Sequence, residues 1–393
     1  MRLLARLAAA ALLTATPVTA GTASAAGPEP TPVPLHTAAD AVPGQYIVTL
    51  DKGLDAAKTA QKLGLTPTFV YTKAMNGFAV PLTPFQLTAV RNSPGVKAVE
   101  EDGKVQSIPT PSFPAGVRAP AFSWGLDRID QRHLPLDNDF TTQGNGAGVT
   151  AYILDTGIDY AHSEFGGRAA FGFDAMGDGR NGLDCNGHGT HVAGTVAGST
   201  YGVARKANLV SVRVLGCDSR GSWSGIIAGM DWIAKNARQP AVMNASLGGD
   251  ASYAVNAAAT AVSDAGVLPV VAAGNSSKDA CTVSPASAAR VLTVGATDRY
   301  DQETSFSNYG SCLSLYAPGQ DIVSAKLGGG SVALNGTSMA APHVAGVAAL
   351  YKGAYPKADP AELKQFLEAR STKDIITNIG KGSPNRLLFT DGL

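Results

Sequence analysis

Three short segments of the chain carry side chains that could act together on a carbonyl group. Asp155-Thr156-Gly157 directly follows the apolar run Val149-Thr150-Ala151-Tyr152-Ile153-Leu154. His188 lies in Asn186-Gly187-His188-Gly189-Thr190-His191, and Ser338 in Gly336-Thr337-Ser338-Met339-Ala340-Ala341-Pro342-His343. In chain order they supply a carboxylate, an imidazole and a hydroxyl. Acyl transfer by serine needs these three types: a nucleophile, a neutral imidazole to take its proton, and a carboxylate to fix the imidazole tautomer. Singly, each has a plainer reading as a turn, helix-start or N-cap residue. Together they point to serine hydrolysis. His188 and His191 stand three apart, but no glutamate completes an H-E-x-x-H zinc pattern. His191 and His343 are therefore read as structural.

Such groups need a rigid frame. From about Trp124 onward, apolar segments at 149–154, 207–214, 241–245 and 267–273 read as strands. Residues 225–236 and the Ala-rich part of 336–352 read as helices. This alternation implies an α/β fold, a parallel central sheet with helices on both faces. Functional groups then collect at the carboxyl ends of the strands. Residues 123–393 are expected to form that domain. Upstream, 45–106 reads as strand, helix, short strands near 69–71 and 77–80, helix from Pro84, and a last strand at 96–101. That is the order of a small α+β, ferredoxin-like (split βαβ) domain. Residues 27–44 and 107–122 are rich in proline and small residues and read as linkers. Within 1–26, Arg2 and Arg6 precede the apolar run 7–13 and Ala23-Ser24-Ala25, the pattern of a secretory signal peptide. No later segment is apolar enough for a membrane anchor.

Composition narrows the classes. Lys+Arg is 31 and Asp+Glu is 31, so net charge is zero and nothing draws the chain to nucleic acid. Hydrophobic residues at 45 % and charged residues at 16 % exclude a disordered, solvating chain. The four cysteines suit an oxidising compartment. They allow three pairings, of which nearest neighbours give Cys185–Cys217 and Cys281–Cys312.

The three segments, with Ser246-Leu247-Gly248-Gly249, Ala272-Ala273-Gly274-Asn275 and Ser305-Phe306-Ser307-Asn308-Tyr309-Gly310, resemble the subtilisin-like serine proteases. The proteinase K and aqualysin branch is the most similar, and the order Asp, His, Ser is subtilisin's. The resemblance runs from the small N-terminal domain to Leu393. It implies Asp155 as the acid orienting the imidazole, His188 as general base and then acid, and Ser338 as nucleophile. Asn275 and the Ser338 backbone N–H would stabilise the oxyanion. Ser246, Leu247 and Gly248 would pair with substrate backbone. Ala272, Ala273 and Gly274 would line the primary specificity pocket, whose small uncharged walls favour apolar and aromatic side chains. Trp223 would rim a more distant subsite, with simple packing as its alternative. The resemblance selects Cys185–Cys217 and Cys281–Cys312 among the pairings. It makes the small domain an inhibitory propeptide, an intramolecular partner of the cleft. The expectation is a secreted, self-processed, monomeric endopeptidase acting on polypeptides without a catalytic cofactor.

Asp127, Asp130, Gln131, Asp137 and Asp139 place five oxygen-bearing side chains in thirteen residues, a set suited to a hard cation. Relatives of the aqualysin type bind calcium in this segment. The plainer reading is loop acids paired with Arg128 and Arg132. A further family calcium position is not expected to be strong, because Ser314 stands where relatives carry an aspartate. Two rival functions remain: an inactive peptide-binding domain on the same scaffold, and an esterase. The esterase would usually show G-x-S-x-G and the order Ser, Asp, His, and the chain has neither.

Overall fold

The structure, a computed structural model, describes residues 31–107 and 123–393. The signal peptide expected at 1–26 and nearly all of the linker at 107–122 lie outside the described residues.

The N-terminal part contains β1 (Leu35–His36), β2 (Ala41–Leu50), α1 (Ala56–Lys62), β3 (Phe69–Tyr71), β4 (Gly77–Pro81), α2 (Pro84–Arg91) and β5 (Val96–Ser107). Antiparallel pairing gives the sheet order β5-β2-β4-β3, the expected ferredoxin-like layout. Val48, Phe78, Val80 and Val99 bury against Ala56 and Ala60 of α1 and Val90 of α2. Thr83 and Gln86 form a reciprocal capping box at the start of α2, with Pro84 in the first turn.

Two expectations need correction. The linker assigned to 27–44 is partly strand: β1 runs parallel to β5, with Leu35 opposite Val99, and β2 already begins at Ala41. Val33 and Leu35 also pack on the domain core. Proline-rich sequence suggested a linker, but an edge segment tolerates proline because one side needs no N–H. The last strand, expected to stop at 101, continues to Ser107. From Lys104 onward its partners are strands of the C-terminal domain, so no local pattern announces them.

That domain contains α3 (Trp124–Ile129), β6 (Thr150–Asp155), β7 (Ala169–Asp174), α4 (His188–Ala197), β8 (Asn208–Arg213), β9 (Arg220–Ser222), α5 (Trp223–Asn236), β10 (Ala241–Ala245), β11 (Leu247–Asp250) and α6 (Tyr253–Asp264). There follow β12 (Leu268–Ala272), β13 (Val283–Ser284), β14 (Leu292–Thr297), β15 (Leu315–Pro318), β16 (Ile322–Ala325), β17 (Ser331–Leu334), α7 (Thr337–Ala354), α8 (Pro360–Arg370), β18 (Thr372–Lys373) and β19 (Arg386–Leu387). The central sheet runs β7-β8-β6-β10-β12-β14-β15 in parallel, extended by β19 and β18. Alternation along β6 shows why the strands read as unbroken apolar runs. Ala151 and Ile153 join the core with residues of α4 and α7, while Tyr152 and Leu154 join the core with residues of α5 and α6.

Candidate active site

β6 ends at Asp155, and its pairing with β8 and β10 fixes that end at the carboxyl edge of the sheet. His188 opens α4 and Ser338 lies in the first turn of α7. One strand end thus meets two helix starts. Asp155 Oδ1 accepts His188 Nδ1–H at 2.7 Å and the Thr156 N–H at 2.7 Å. Asp155 is fully buried and His188 only 6 % exposed. Burial alone would lower the pKa of His188. The charge and hydrogen bond of Asp155, with the charge of Asp184, outweigh it and hold His188 above the usual imidazole range. His188 Nε2 and Asp155 Oδ2 are buried without a hydrogen-bond partner among the described residues. With Nδ1 as donor, Nε2 is the acceptor for an incoming proton. The Ser338 hydroxyl donates to Ser246 O at 3.2 Å, and Ser246 Oγ–H donates to Ser338 O at 2.8 Å. The Ser338 hydroxyl is therefore not bonded to the base, as is common without substrate.

The carboxamide of Asn275 is oriented by Thr337, whose N–H and hydroxyl both donate to Asn275 Oδ1 at 2.9 Å. Its Nδ2 then faces Gly336, 2.7 Å from where a Cβ would stand. Gly336, at φ +143°, lets the amide and the nucleophile loop approach. The Ser338 N–H belongs to the first turn of α7, where backbone donors have no intrahelical acceptor. Two residues of this frame had no assigned role. Asp184 Oδ1 accepts from Thr156 Oγ1, Asn186 N and Gly187 N, and Oδ2 from Thr190 N and Oγ1, at 2.6–3.0 Å. It ties the turn after Asp155 to the turn that presents His188. Asn308 donates to Ala273 O at 2.8 Å and accepts from Ser276 N and Lys278 N at 3.0 and 3.1 Å, framing Asn275. An Asp four residues before a Gly-flanked His is a visible turn signal.

Residues 146–388 match the Subtilase family and residues 64–107 match Peptidase inhibitor I9. The chain is 45 % identical over 380 residues to an extracellular serine proteinase of Thermus sp. (strain Rt41A), covering 90 % of this chain and 91 % of that one. The chain belongs to the subtilase family. A cuticle-degrading protease of Metarhizium anisopliae is 41 % identical over 326 residues, 82 % of each chain. The crystal structure of a cold adapted subtilisin-like serine proteinase superposes with TM-score 0.68 at 49 % identity, covering 69 % of this chain and 99 % of that one. The subtilase is a serine endopeptidase made as a zymogen with an inhibitor-type propeptide. Neither rival reading gains support from these matches.

In this subtilase the propeptide strand β5 lies in the cleft between two strands of the peptidase domain. Lys104, Val105 and Gln106 oppose Ser222, Gly221 and Arg220 of β9. Gln106 and Ser107 oppose Gly248 and Leu247 of β11. Two propeptide carboxylates bury at helix starts. Glu100 accepts from the Ser252 hydroxyl and from Ala254 N at the start of α6. Asp102 accepts from Ser224 N at 2.9 Å and Ser224 Oγ at 2.6 Å at the start of α5. In return, Asp231 on α5 accepts the N–H groups of Thr72, Lys73 and Ala74 at 2.6–3.0 Å. Burial raises Glu100 and Asp102 above the ordinary carboxylate range. Trp223 is 3 % exposed. Its indole lies where a Cβ on Gly103 of β5 or Gly249 of β11 would strike it, so it floors the occupied strand slot. The methyl of Ala272 joins the central core and that of Ala273 a second buried cluster. Both side chains are therefore fully packed.

Cys185–Cys217 and Cys281–Cys312 are both bridged, with Cα–Cα 4.9 and 5.3 Å. The first joins the His188 loop to the segment before β9. The acidic loop is organised differently from its plainer reading. Arg128 is fully buried and forks onto Asp301 at 2.7 and 3.1 Å, while Arg132 pairs with Asp391 and covers the Phe389 ring. Neither arginine neutralises the loop acids. Asp127 accepts from Asp137 N and Asn138 N, and Asp130 from Thr141 N. Burial, then the charges of Asp127 and Asp137, raise Asp130 to about 6. Oxygen donors short of counter-charge fit a hard cation in chemistry. Asp139 and Gln131 fit less well: both oxygens of Asp139 accept from Phe140 N and Thr141 Oγ1. The Gln131 amide is engaged with His133 O and Pro135 O. Among the described residues no three His, Cys, Asp or Glu side chains stand together as a metal site. Ser314 Oγ instead accepts from the Lys364 ammonium.

Proposed function

We propose that Ser338, His188 and Asp155 hydrolyse peptide bonds through an acyl-enzyme. The observation that carries this reading is the 2.7 Å bond from buried His188 to buried Asp155, with α4, which His188 opens, packed on α7, which carries Ser338 in its first turn. Ser338 Oγ attacks the substrate carbonyl as His188 Nε2 takes its proton. Asp155 keeps Nδ1 protonated and stabilises the imidazolium. The oxyanion forms against Asn275 Nδ2–H and Ser338 N–H, donors set before the reaction begins. His188 returns the proton to the leaving amine. Water then repeats the sequence on the acyl-enzyme.

Substrate adds a strand between β9 and β11, in the slot that β5 holds in the zymogen. A preference for apolar and aromatic residues before the scissile bond follows from the uncharged segment 272–274. The propeptide inhibits by occupying the slot and capping α5 and α6. Export is part of this reading, supported by the pattern in residues 1–26, by the extracellular relative and by the two disulfides. Among the described residues no helix is long and apolar enough to cross a membrane. The enzyme acts as a monomer. A structural calcium sits at the acidic loop, held by Asp127 and Asp130, since a dication reverses the sign of their mutual repulsion.

An organophosphonate tests the reading. It should label Ser338 once per mature molecule and abolish peptide cleavage. Cleavage that survives complete labelling, or labelling at another serine, overturns the assignment.

A further inference from the structure

Beside His188 lies a cavity of about 670 Å³. Ser107, at the end of β5, borders it, and Lys326 and Leu327 of the β16–β17 hairpin tip close it opposite. Asn186, Ser219, Val332 and Leu334 contribute neutral walls. Lys326 is the one permanently charged side chain in this lining. It is exposed, and the lysine ion pairs among the described residues involve Lys58, Lys104, Lys235, Lys278 and Lys364 instead.

Register decides which part of a substrate meets this lysine. Ser107 opposes Leu247, so the next residue of a bound strand opposes Ser246, whose carbonyl accepts from Ser338 Oγ. That next residue carries the carbonyl under attack. The hairpin pairs with neither β9 nor β11, and its second strand ends at Leu334, four residues before Ser338. Gln106 and Ser107 line the cavity together with it, so the hairpin borders the residue just before the one under attack, on the acyl side.

The hairpin is held at both tip and foot. Gly328 N–H donates to Asp159 Oδ2 at 3.0 Å. His162 Nδ1 accepts from Glu164 N, so its Nε2–H donates to Gly330 O at 3.1 Å. His191 Nε2–H is shared between Ile322 O and Val332 O at the hairpin's foot. The ammonium thus swings from a fixed backbone. Asp159, the acid bonded to the hairpin tip, has its oxygens engaged by Ala161 N and Gly328 N.

We propose that Lys326 is a specificity residue that favours acidic side chains at the second position before the scissile bond, the place that Ser107 holds in the zymogen. This rests on the serine-peptidase reading of Ser338. The test uses mature enzyme processed from the full chain, and peptides carrying Glu, Gln or Lys at that position. The readout is the Glu:Lys ratio of kcat/KM within each enzyme. Wild type should favour Glu about fivefold at low ionic strength, falling toward parity near 1 M salt, as an exposed charge pair does. Lys326→Ala should bring the ratio near one and Lys326→Glu should invert it. An unchanged ratio in Lys326→Ala overturns the proposal. So does an equal change when the Glu/Lys pair sits four residues before the scissile bond, since that reports only the overall field. Phosphonate titration of every variant separates the two readings. Enzyme that titrates but keeps its ratio refutes the subsite, whereas wild type that does not titrate refutes the nucleophile.

Discussion

The catalytic corner and the propeptide interface are built from the same parts, carboxylates and helix starts, bonded to opposite ends. At the corner, His188 Nε2 and Asp155 Oδ2 are buried without partners among the described residues. At the interface, Glu100, Asp102 and Asp231 each accept two or three hydrogen bonds across the domain boundary. An unengaged buried polar atom costs about 1–3 kcal/mol. The corner keeps that cost at His188 Nε2 because that atom takes the proton in the reaction. The interface converts the same chemistry into affinity and does no catalysis.

The largest expected effect comes from the corner. Ser338→Ala should remove turnover by about 10⁶, the loss found for subtilisin itself. Its precursor should stay uncleaved on a denaturing gel. Normal maturation without added protease would break the comparison, since the corner would then be dispensable. Asn275→Ala should cost about 10²–10³ in kcat with little change in KM, because the donor acts on the oxyanion. Steady-state kinetics with a chromogenic peptide decide this, and a change confined to KM would make Asn275 a binding group.

The acidic loop lies between the extremes, with carboxylates partly engaged. A chelator should lower the melting midpoint of phosphonate-inhibited enzyme, corresponding to about 2.7 kcal/mol if calcium had been present at a hundred times Kd. Asp130→Ala should be almost insensitive. Equal sensitivity of both proteins would place the ion elsewhere. At the interface, Asp102→Ala in separately added propeptide should raise its inhibition constant about tenfold, the worth of an upper-range helix cap. No change would mean that Ser222, which also caps α5 through Gly225 N, suffices alone.

The smallest effect concerns Asp184. His188 must be neutral to act as base, and its pKa is held high partly by the charge of Asp184. Activity is therefore lost as pH falls through that raised value. Asp184→Asn removes the charge and should move the acid limb of the kcat/KM profile to lower pH by a fraction of a unit. An unmoved limb would reduce Asp184 to a purely geometric role.

Sequence revealed the corner more readily than the interface. The segments around Asp155, His188 and Ser338 are contiguous, and apolar β6 announces where the acid must sit. The extension of β5 to Ser107 was not legible, because Asp102-Gly103-Lys104 has no strand pattern of its own and its partners come from β9 and β11. The fate of Arg128 was equally hidden. Its partner Asp301 lies 173 residues away, and a neighbouring acid in sequence looked the better match. The packing of Ala272 and Ala273 was equally unannounced: at the end of β12 their methyls enter two different buried clusters.

One consequence follows from β5 lying between two strands. Adjacent strands stand about 4.8 Å apart, so removing β5 opens a trench roughly 10 Å across, bounded by two bare backbone edges. Only a lone extended chain can enter and satisfy both edges. A helix, or a strand already paired on both sides, is too wide or has no donors left. The enzyme therefore selects on conformation before it selects on side chains. Its rate on a compact protein is set by how often that protein locally unravels a segment long enough to fill the trench.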